Sequence, residues 1–260
     1  MKLSPIVGLI LSGIIMVWSI LDSKAVAVFL NLHAAVIVLG GTLAATLIAY
    51  PFRSVFGMLR VFVRRVLSGS KIEYKQIIEE IVYLGEGYRK SESFLSDNLN
   101  NIKNPFLQEG IGLIVQGGIS DRKIDQILLK RAQTHFQRYQ QEASMFQVLS
   151  KLPPAFGLLG AVVGMVALMQ ALGGEDAFST IGPAMATAMV ATFYGIAFAN
   201  FILIPIGENL SLSSNQDLLI RKMILEGIKL VRNKEHPIVI EEELKSFLLP
   251  SERAEIKKAA

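Results

Sequence analysis

The sequence contains no cysteine. That excludes a disulfide framework, a thiolate metal site and a cysteine nucleophile. Histidine is almost as scarce: His33, His135 and His236 are scattered and share no metal-ligand spacing. No metal and no cofactor is expected. The chain also lacks a phosphate-binding glycine loop, a Ser-His-Asp pattern and paired carboxylates, so enzymatic chemistry is not expected. A strong charge of one sign is missing too. The formal net charge is only +4, and the basic residues form no aromatic-interleaved patch. Nucleic acid is therefore not an expected partner.

The most telling absence is local. Four stretches carry no Asp, Glu, Lys or Arg: Pro5 to Leu21, Phe29 to Tyr50, Leu152 to Leu172 and Ile181 to Ile206. They account for much of the 52% hydrophobic content. As helices, each is long enough to cross roughly 30 Å of hydrocarbon. Helices are also the only open-chain way to satisfy every backbone group in lipid. The expected fold is an all-α membrane protein with four transmembrane helices and a large helical cytoplasmic domain.

Basic residues set the orientation. The segment from Arg53 to Arg138 and the residues after Ile206 hold most of the Lys and Arg, whereas the first short link has Lys24 alone. The second short link carries Glu175 and Asp176 and no basic residue. The positive-inside rule puts both termini and the 51–150 segment in the cytoplasm, with the two short links outside. A cleaved signal peptide is the other reading of the first stretch. No small-x-small cleavage site ends it, and the second span follows at once, so it is read as retained.

Between the spans the pattern is helical. Apolar positions at Ile77, Ile78, Ile81, Val82 and Leu84 predict one amphipathic helix within 72–89. Ser120 and Asp121 mark the start of a long helix towards Ser150. Pro153 and Pro154 predict a kink or break where it meets the third span. The fourth span is expected to continue inward through Leu210 to Val231. The segments are then 1–50 with spans one and two, 51–150, 151–206 with spans three and four, and 207–260.

Spans three and four carry small residues at helical spacing. Gly157, Gly160 and Gly164 mark the third, with Ala161 beside them; Ala184, Ala188, Ala191, Gly195 and Ala199 mark the fourth. Such faces let helix backbones approach closely in lipid. They serve packing within one subunit, packing between subunits, or both. Ionisable residues mark ion paths in membrane proteins, and these spans have none. An ion carrier built this way needs a carboxylate from a second subunit. The polar side chains it can offer are Thr180, Thr187, Thr192, Tyr194 and Asn200, and such hydroxyls often bond back to their own helix.

The run Pro154 to Met169, PAFGLLGAVVGMVALM, resembles the third span of the MotA/PomA stator proteins of the flagellar motor. Ile181 to Ala186, Thr192-Phe-Tyr-Gly, Asn200 and Pro205 resemble their fourth span. Arg89-Lys90 resembles the charged rotor-facing site of their cytoplasmic loop. The resemblance covers essentially the whole chain and is most specific over 153–209. It implies a stator subunit of the bacterial inner membrane whose spans three and four line the ion path. It implies a homopentamer around single-span partners of the MotB/PomB type, each with a transmembrane Asp and a peptidoglycan-binding domain. The cytoplasmic heads would then push the rotor's switch protein. Pro154 and Pro205 resemble the family's two functional prolines. Asp97 has the spacing of the family's rotor-facing Glu, and Glu92 is a second candidate. Sodium-driven relatives carry Thr after the Gly-x-x-Gly of the third span and a Thr-Thr pair in the fourth. Here Ala161 and Ala191-Thr192 stand at those positions, which implies a proton path near Ala161, Ala191, Thr192 and Tyr194. The related ExbB/TolQ proteins, which energise outer-membrane processes, are the alternative; they usually have three spans.

Overall fold

The computed structural model describes residues 3–23, 26–61, 74–172, 177–251 and 253. Among these there is no strand. Three stretches are long and apolar enough to cross a membrane: Val26–Ala49, Asp121–Gln170 and Ile181–Arg232. Helix α1 (Leu3–Asp22) is also apolar, over the shorter described stretch Ile6–Asp22. Lys24, Glu175 and Asp176, on which the outer-link reading rests, lie outside the described residues, as does the side chain of Thr180.

The second apolar stretch is not one uniform helix. It is α2 (Val26–Phe29), α3 (Leu32–Ala35), a π turn at Val36–Gly40, and α4 (Gly41–Ala49). The break after α2 is made by Asn31, whose side-chain oxygen accepts the Ala34 amide at 3.0 Å and caps α3. α4 stops at Tyr50 because Pro51 follows. A residue before proline is pushed out of helical geometry, and Tyr50 is extended at φ −132°, ψ 143°. Then come α5 (Phe52–Val61), α6 (Tyr74–Lys90), α7 (Phe94–Asn98) with a 3₁₀ turn at Leu99–Asn101, and α8 (Pro105–Gln116). α8 opens with Asn104 capping two amides and proline in its first turn, and ends at Gly117 with φ 67°.

Helix α9 (Asp121–Leu149) starts where Ser120 and Asp121 predict, with the Ser120 carbonyl accepting the first amides. It is interrupted at Ser150-Lys151. α10 (Leu152–Ala171) then begins with Pro153 and Pro154 in its first turn, where a missing amide costs nothing. α11 (Ala177–Phe198) leads into a second π turn, Ala199–Leu203, and then α12 (Ile204–Arg232) and α13 (Pro237–Lys245). That π turn lies directly before Pro205. The widened hydrogen-bond ring absorbs the amide that proline cannot supply, so the helix runs on.

Packing divides the chain into two compact units: Met1–Lys71 with Tyr139–Leu212, and Ile72–Arg138 with Ser213–Ala260. Segments drawn by hydropathy follow the membrane, whereas these units follow side-chain contact, so their boundaries fall inside α9 and α12. In the second unit Ile78, Ile81, Leu84, Leu107, Ile111, Leu128, Ile224, Ile228, Ile240 and Leu244 form the core. The apolar stripe read in α6 faces it: Ile77, Ile78, Ile81 and Leu84 are buried, and Val82 packs at its edge. The first unit has two small cores. One joins Met58, Phe146, Leu149, Leu203, Ile206 and Leu210; the other joins Ala34, Val38, Val190 and Ala191. Around them, large apolar side chains stay exposed, including Ile10, Trp18, Leu158, Val162, Val166 and Met189. Continuous exposed apolar surface on helices of this length is lipid- or partner-facing surface.

Candidate functional site

The α10–α11 pair is built by small residues. A β-carbon on Gly157 would fall 2.9 Å from the Ala191 carbonyl oxygen, 3.2 Å from the Thr192 Cα and 3.4 Å from the Gly195 Cα. On Gly160 it would fall 2.7 Å from the Ala191 Cβ, and on Gly164 2.8 Å from the Ala188 Cβ. On Gly195 it would lie 3.1 Å from the Pro154 Cα, with the Pro153 carbonyl closer still. Real β-carbons do not come within 3.0 Å of backbone or of a rigid neighbouring β-carbon, so all four glycines are required for these two helices to touch. Gly157, Gly160, Gly164, Ala188 and Gly195 therefore meet within one chain. Gly41 extends the seam to α4, where the ring of Phe156 fills the space a side chain would need.

The four ion-path candidates have different surroundings. Ala191 is fully buried between Gly160 and the α3–π-turn core, so its methyl faces the seam. Ala161, one residue on from Gly160, is half-buried. Thr192 is half-buried as well, with its hydroxyl 3.3 Å from the Ala188 carbonyl and 3.4 Å from that of Gly157. Tyr194 donates its hydroxyl to the Phe29 carbonyl, which ties α11 to the end of α2; Phe193 packs edge-to-face on the Phe29 ring at 5.4 Å.

The remaining polar groups are also engaged. The Thr187 hydroxyl donates to the Pro183 carbonyl at 3.0 Å and accepts from the Asn31 amide at 2.8 Å. Asn200, though exposed, donates to the Ile196 carbonyl at 2.9 Å. Thr42 and Thr46 are buried in α4 and bond back one turn, each at 2.6 Å. Asn31 is the polar group that sequence reading missed. A lone amide inside an apolar run was its only signal. Among the described residues no cluster of His, Asp and Glu is able to hold a metal ion. The pair thus offers hydroxyls and carbonyls already committed to their own chain, and no carboxylate.

The second candidate site lies at the α6–α7 turn. α6 ends on Arg89 and Lys90, where two cations favour the negative end of the helix dipole. Lys90 pairs with Glu86 one turn back at 2.7 Å, and the ammonium holds the Glu86 carboxyl below its usual pKa. Glu92 pairs with Lys234 at 2.8 Å and is lowered in the same way. Arg89 and Asp97 are exposed, and neither has an ion-pair partner among the described residues. Phe94 fixes the turn: its ring covers Gly87, where no β-carbon fits, and meets Tyr83 edge-to-face at 5.3 Å. Of the four charged residues singled out in the sequence, two are engaged in pairs and two are left open.

Residues 98–244 match the MotA/TolQ/ExbB proton channel family. Along nearly its whole length the chain is similar to chemotaxis protein PomA of Vibrio alginolyticus, with 29% identity over 98% of each chain. Motility protein A of Borreliella burgdorferi is 32% identical over 70% of this chain and 69% of its own. The structure of the flagellar MotAB stator complex from Bacillus subtilis contains a chain with the same fold. It superposes at a TM-score of 0.87 and 25% identity, covering 97% of this chain and 98% of that one.

Proposed function

Because this chain belongs to the MotA/TolQ/ExbB proton channel family, as a stator subunit of the MotA type, we propose that it conducts protons around a MotB-type partner and turns that flow into torque on the rotor. One observation carries the reading of the path. α10 and α11 are sealed to each other by Gly and Ala and contribute no ionisable side chain. A proton crossing here needs a carboxylate, and the single-span partner supplies it as a transmembrane Asp. Ala161 and Thr192, both half-buried, are the candidates to face that Asp. Thr192 keeps a hydroxyl there to orient water. Tyr194 and Ala191 act by holding α11 in place.

The finer architecture is part of the same proposal. Helix α1, the α2–α4 stretch, the end of α9 with α10, and α11 with the start of α12 make four spans in the bacterial inner membrane. Both termini lie in the cytoplasm. Five copies surround a dimer of the partner, with the exposed apolar faces of α1 and α10 against lipid and neighbours. Pro154 and Pro205 set where the two path helices bend at their cytoplasmic ends. Arg89 and Asp97 present opposite charges to the rotor's switch protein, with Lys90 and Glu92 as their paired neighbours.

Replacing the partner's transmembrane Asp with Asn tests the reading. The complex should assemble and reach the membrane, yet neither conduct nor support swimming. Swimming with the Asn partner would refute it. Topology is tested separately. The chain has no cysteine, so single introduced cysteines report cleanly. A cysteine at Asp176 should react with an impermeant reagent from outside intact cells, and one at Ser120 should not.

A further inference from the structure

Helix α12 ends in a closure that glycine normally makes. The Lys234 amide donates to the Val231 carbonyl at 3.0 Å, and the Glu235 amide reaches back to Leu230 at 3.1 Å. This paired ending places one residue in the left-handed region, and that residue is usually glycine. Here it is Lys234, at φ 56°, the one non-glycine residue with positive φ among the described residues. A β-carbon in that conformation crowds the following carbonyl. The backbone therefore gives no reason for a lysine. The side chain does: its ammonium donates to the Glu92 carboxylate at 2.8 Å and stands 5.0 Å from the centre of the Tyr88 ring.

An exposed ion pair of this kind adds little to stability, and Glu92 is 81% and Lys234 43% exposed. Its position is what counts. Glu92 is the second residue past the end of α6, three residues from Arg89. Glu86 already engages Lys90. Glu92 is thus the nearest carboxylate in sequence that is otherwise available to neutralise Arg89. The shared proton affinities agree with a committed pair: Glu92 is held below and Lys234 above its ordinary pKa by their hydrogen bond.

We propose that Lys234 is a positioning residue for the rotor-facing turn: it keeps Glu92 engaged, so that Arg89 is presented unneutralised to an acidic surface on the rotor. This rests on the reading of Arg89 as a rotor contact. Without the ammonium, Glu92 competes with the rotor for the guanidinium. Lysine at a glycine position is then a choice of charge placement over backbone ease.

The test uses the full stator complex in cells that have no other stator. Stall torque is measured for Lys234→Gly, Lys234→Arg and the double variant Glu92→Gln/Lys234→Gly, alongside Arg89→Glu/Lys90→Glu. Lys234→Gly relieves the backbone, so the purified complex should melt no lower than the parent. Torque should nevertheless fall roughly two- to fivefold, the scale of one exposed charge pair. Lys234→Arg should keep torque. The double variant should restore it, because no free carboxylate is left beside Arg89. A Lys234→Gly motor with parental torque overturns the proposal, and so does a double variant that stays weak. If Arg89→Glu/Lys90→Glu is itself harmless, it is the rotor-contact reading that fails; if that variant stalls while Lys234→Gly does not, only the role of Lys234 falls.

Discussion

Gly160 and Ala191 close on each other with no room for a further atom: a β-carbon on Gly160 would sit 2.7 Å from that of Ala191, which is itself fully buried. The two positions at which this chain has alanine where sodium-driven relatives carry threonine therefore differ in kind. Ala161 is half-buried beside the seam, whereas Ala191 lies inside it. Threonine at 191 adds two heavy atoms to a closed contact, which costs about 1–3 kcal/mol. Ala191→Thr should lower the melting temperature and the yield of the complex, and Ala161→Thr should do neither. Size-exclusion profiles of the two variants, purified with the partner, decide it. Equal behaviour would mean that the seam is looser than it is drawn here.

Gly164 gives a stronger form of the same argument. Its missing β-carbon would lie 2.8 Å from the Ala188 Cβ and 3.1 Å from the Ala188 Cα. Gly164→Leu must force α10 and α11 apart, and assembly with the partner should be lost. Gly182, with nothing within 4 Å of an added β-carbon, is the control. Gly182→Ala should assemble normally. Pull-down of the partner from membranes checks both.

Much of this was legible in the sequence, and for physical reasons. Charge-free runs declare long apolar helices, and the stripe at Ile77, Ile78, Ile81 and Leu84 declares a buried face. The Ser120-Asp121 start was readable because it acts locally. What was not readable depends on distant contacts. Glycines at helical spacing say that two helices approach but not which two; only the packing shows that α10 and α11 of one chain share them. Glu92 is a plausible surface acid until Lys234, more than a hundred residues away, is found beside it. The π turn at Val36–Gly40 leaves no compositional trace, because only the bonding ring changes.

Charge reversal tests the rotor-facing turn as a whole. Arg89→Glu/Lys90→Glu should slow swimming, most of all at high load, because two carboxylates in place of two cations would then repel an acidic partner surface. Single reversals should cost less than the double, a few-fold at most, since an exposed pair contributes about 0–1 kcal/mol. Membrane insertion and ion flux should match the parent, as both residues lie outside the charge-free stretches. Tethered-cell rotation with a parallel flux assay separates the two effects. A loss of flux would place the defect in assembly rather than at the rotor.

Lys245 supplies a pH signature for the second unit. It is buried, and Glu241 and Glu242 hold its ammonium at 2.6 and 3.0 Å. These hydrogen bonds raise its pKa above the usual lysine value. A folded-state value above the unfolded one means that the stabilisation is fully present below the unfolded pKa of about 10.4. It is lost as pH rises through the folded value. Lys245→Met removes that dependence. Thermal melts of the purified complex should show a gap between parent and variant at neutral pH that changes only above about pH 10. A gap that already closes near neutrality would show that the pair carries no such charge stabilisation.

On the proposed reading, protons and not sodium ions drive this stator. Sodium must exchange its hydration shell for protein oxygens, and the methyl group of Ala161, half-buried beside the seam, offers none. A proton needs a carboxylate and a bound water, which on the proposed reading the partner's Asp and a water oriented by Thr192 would provide. Swimming speed is the direct measurement, in cells whose only stators contain this chain and its partner, with external sodium varied at constant pH and proton-motive force. Speed should ignore sodium and fall to zero when an uncoupler collapses the proton gradient. A speed that climbs with sodium, survives the uncoupler and stops with a sodium-channel blocker would contradict the proton reading.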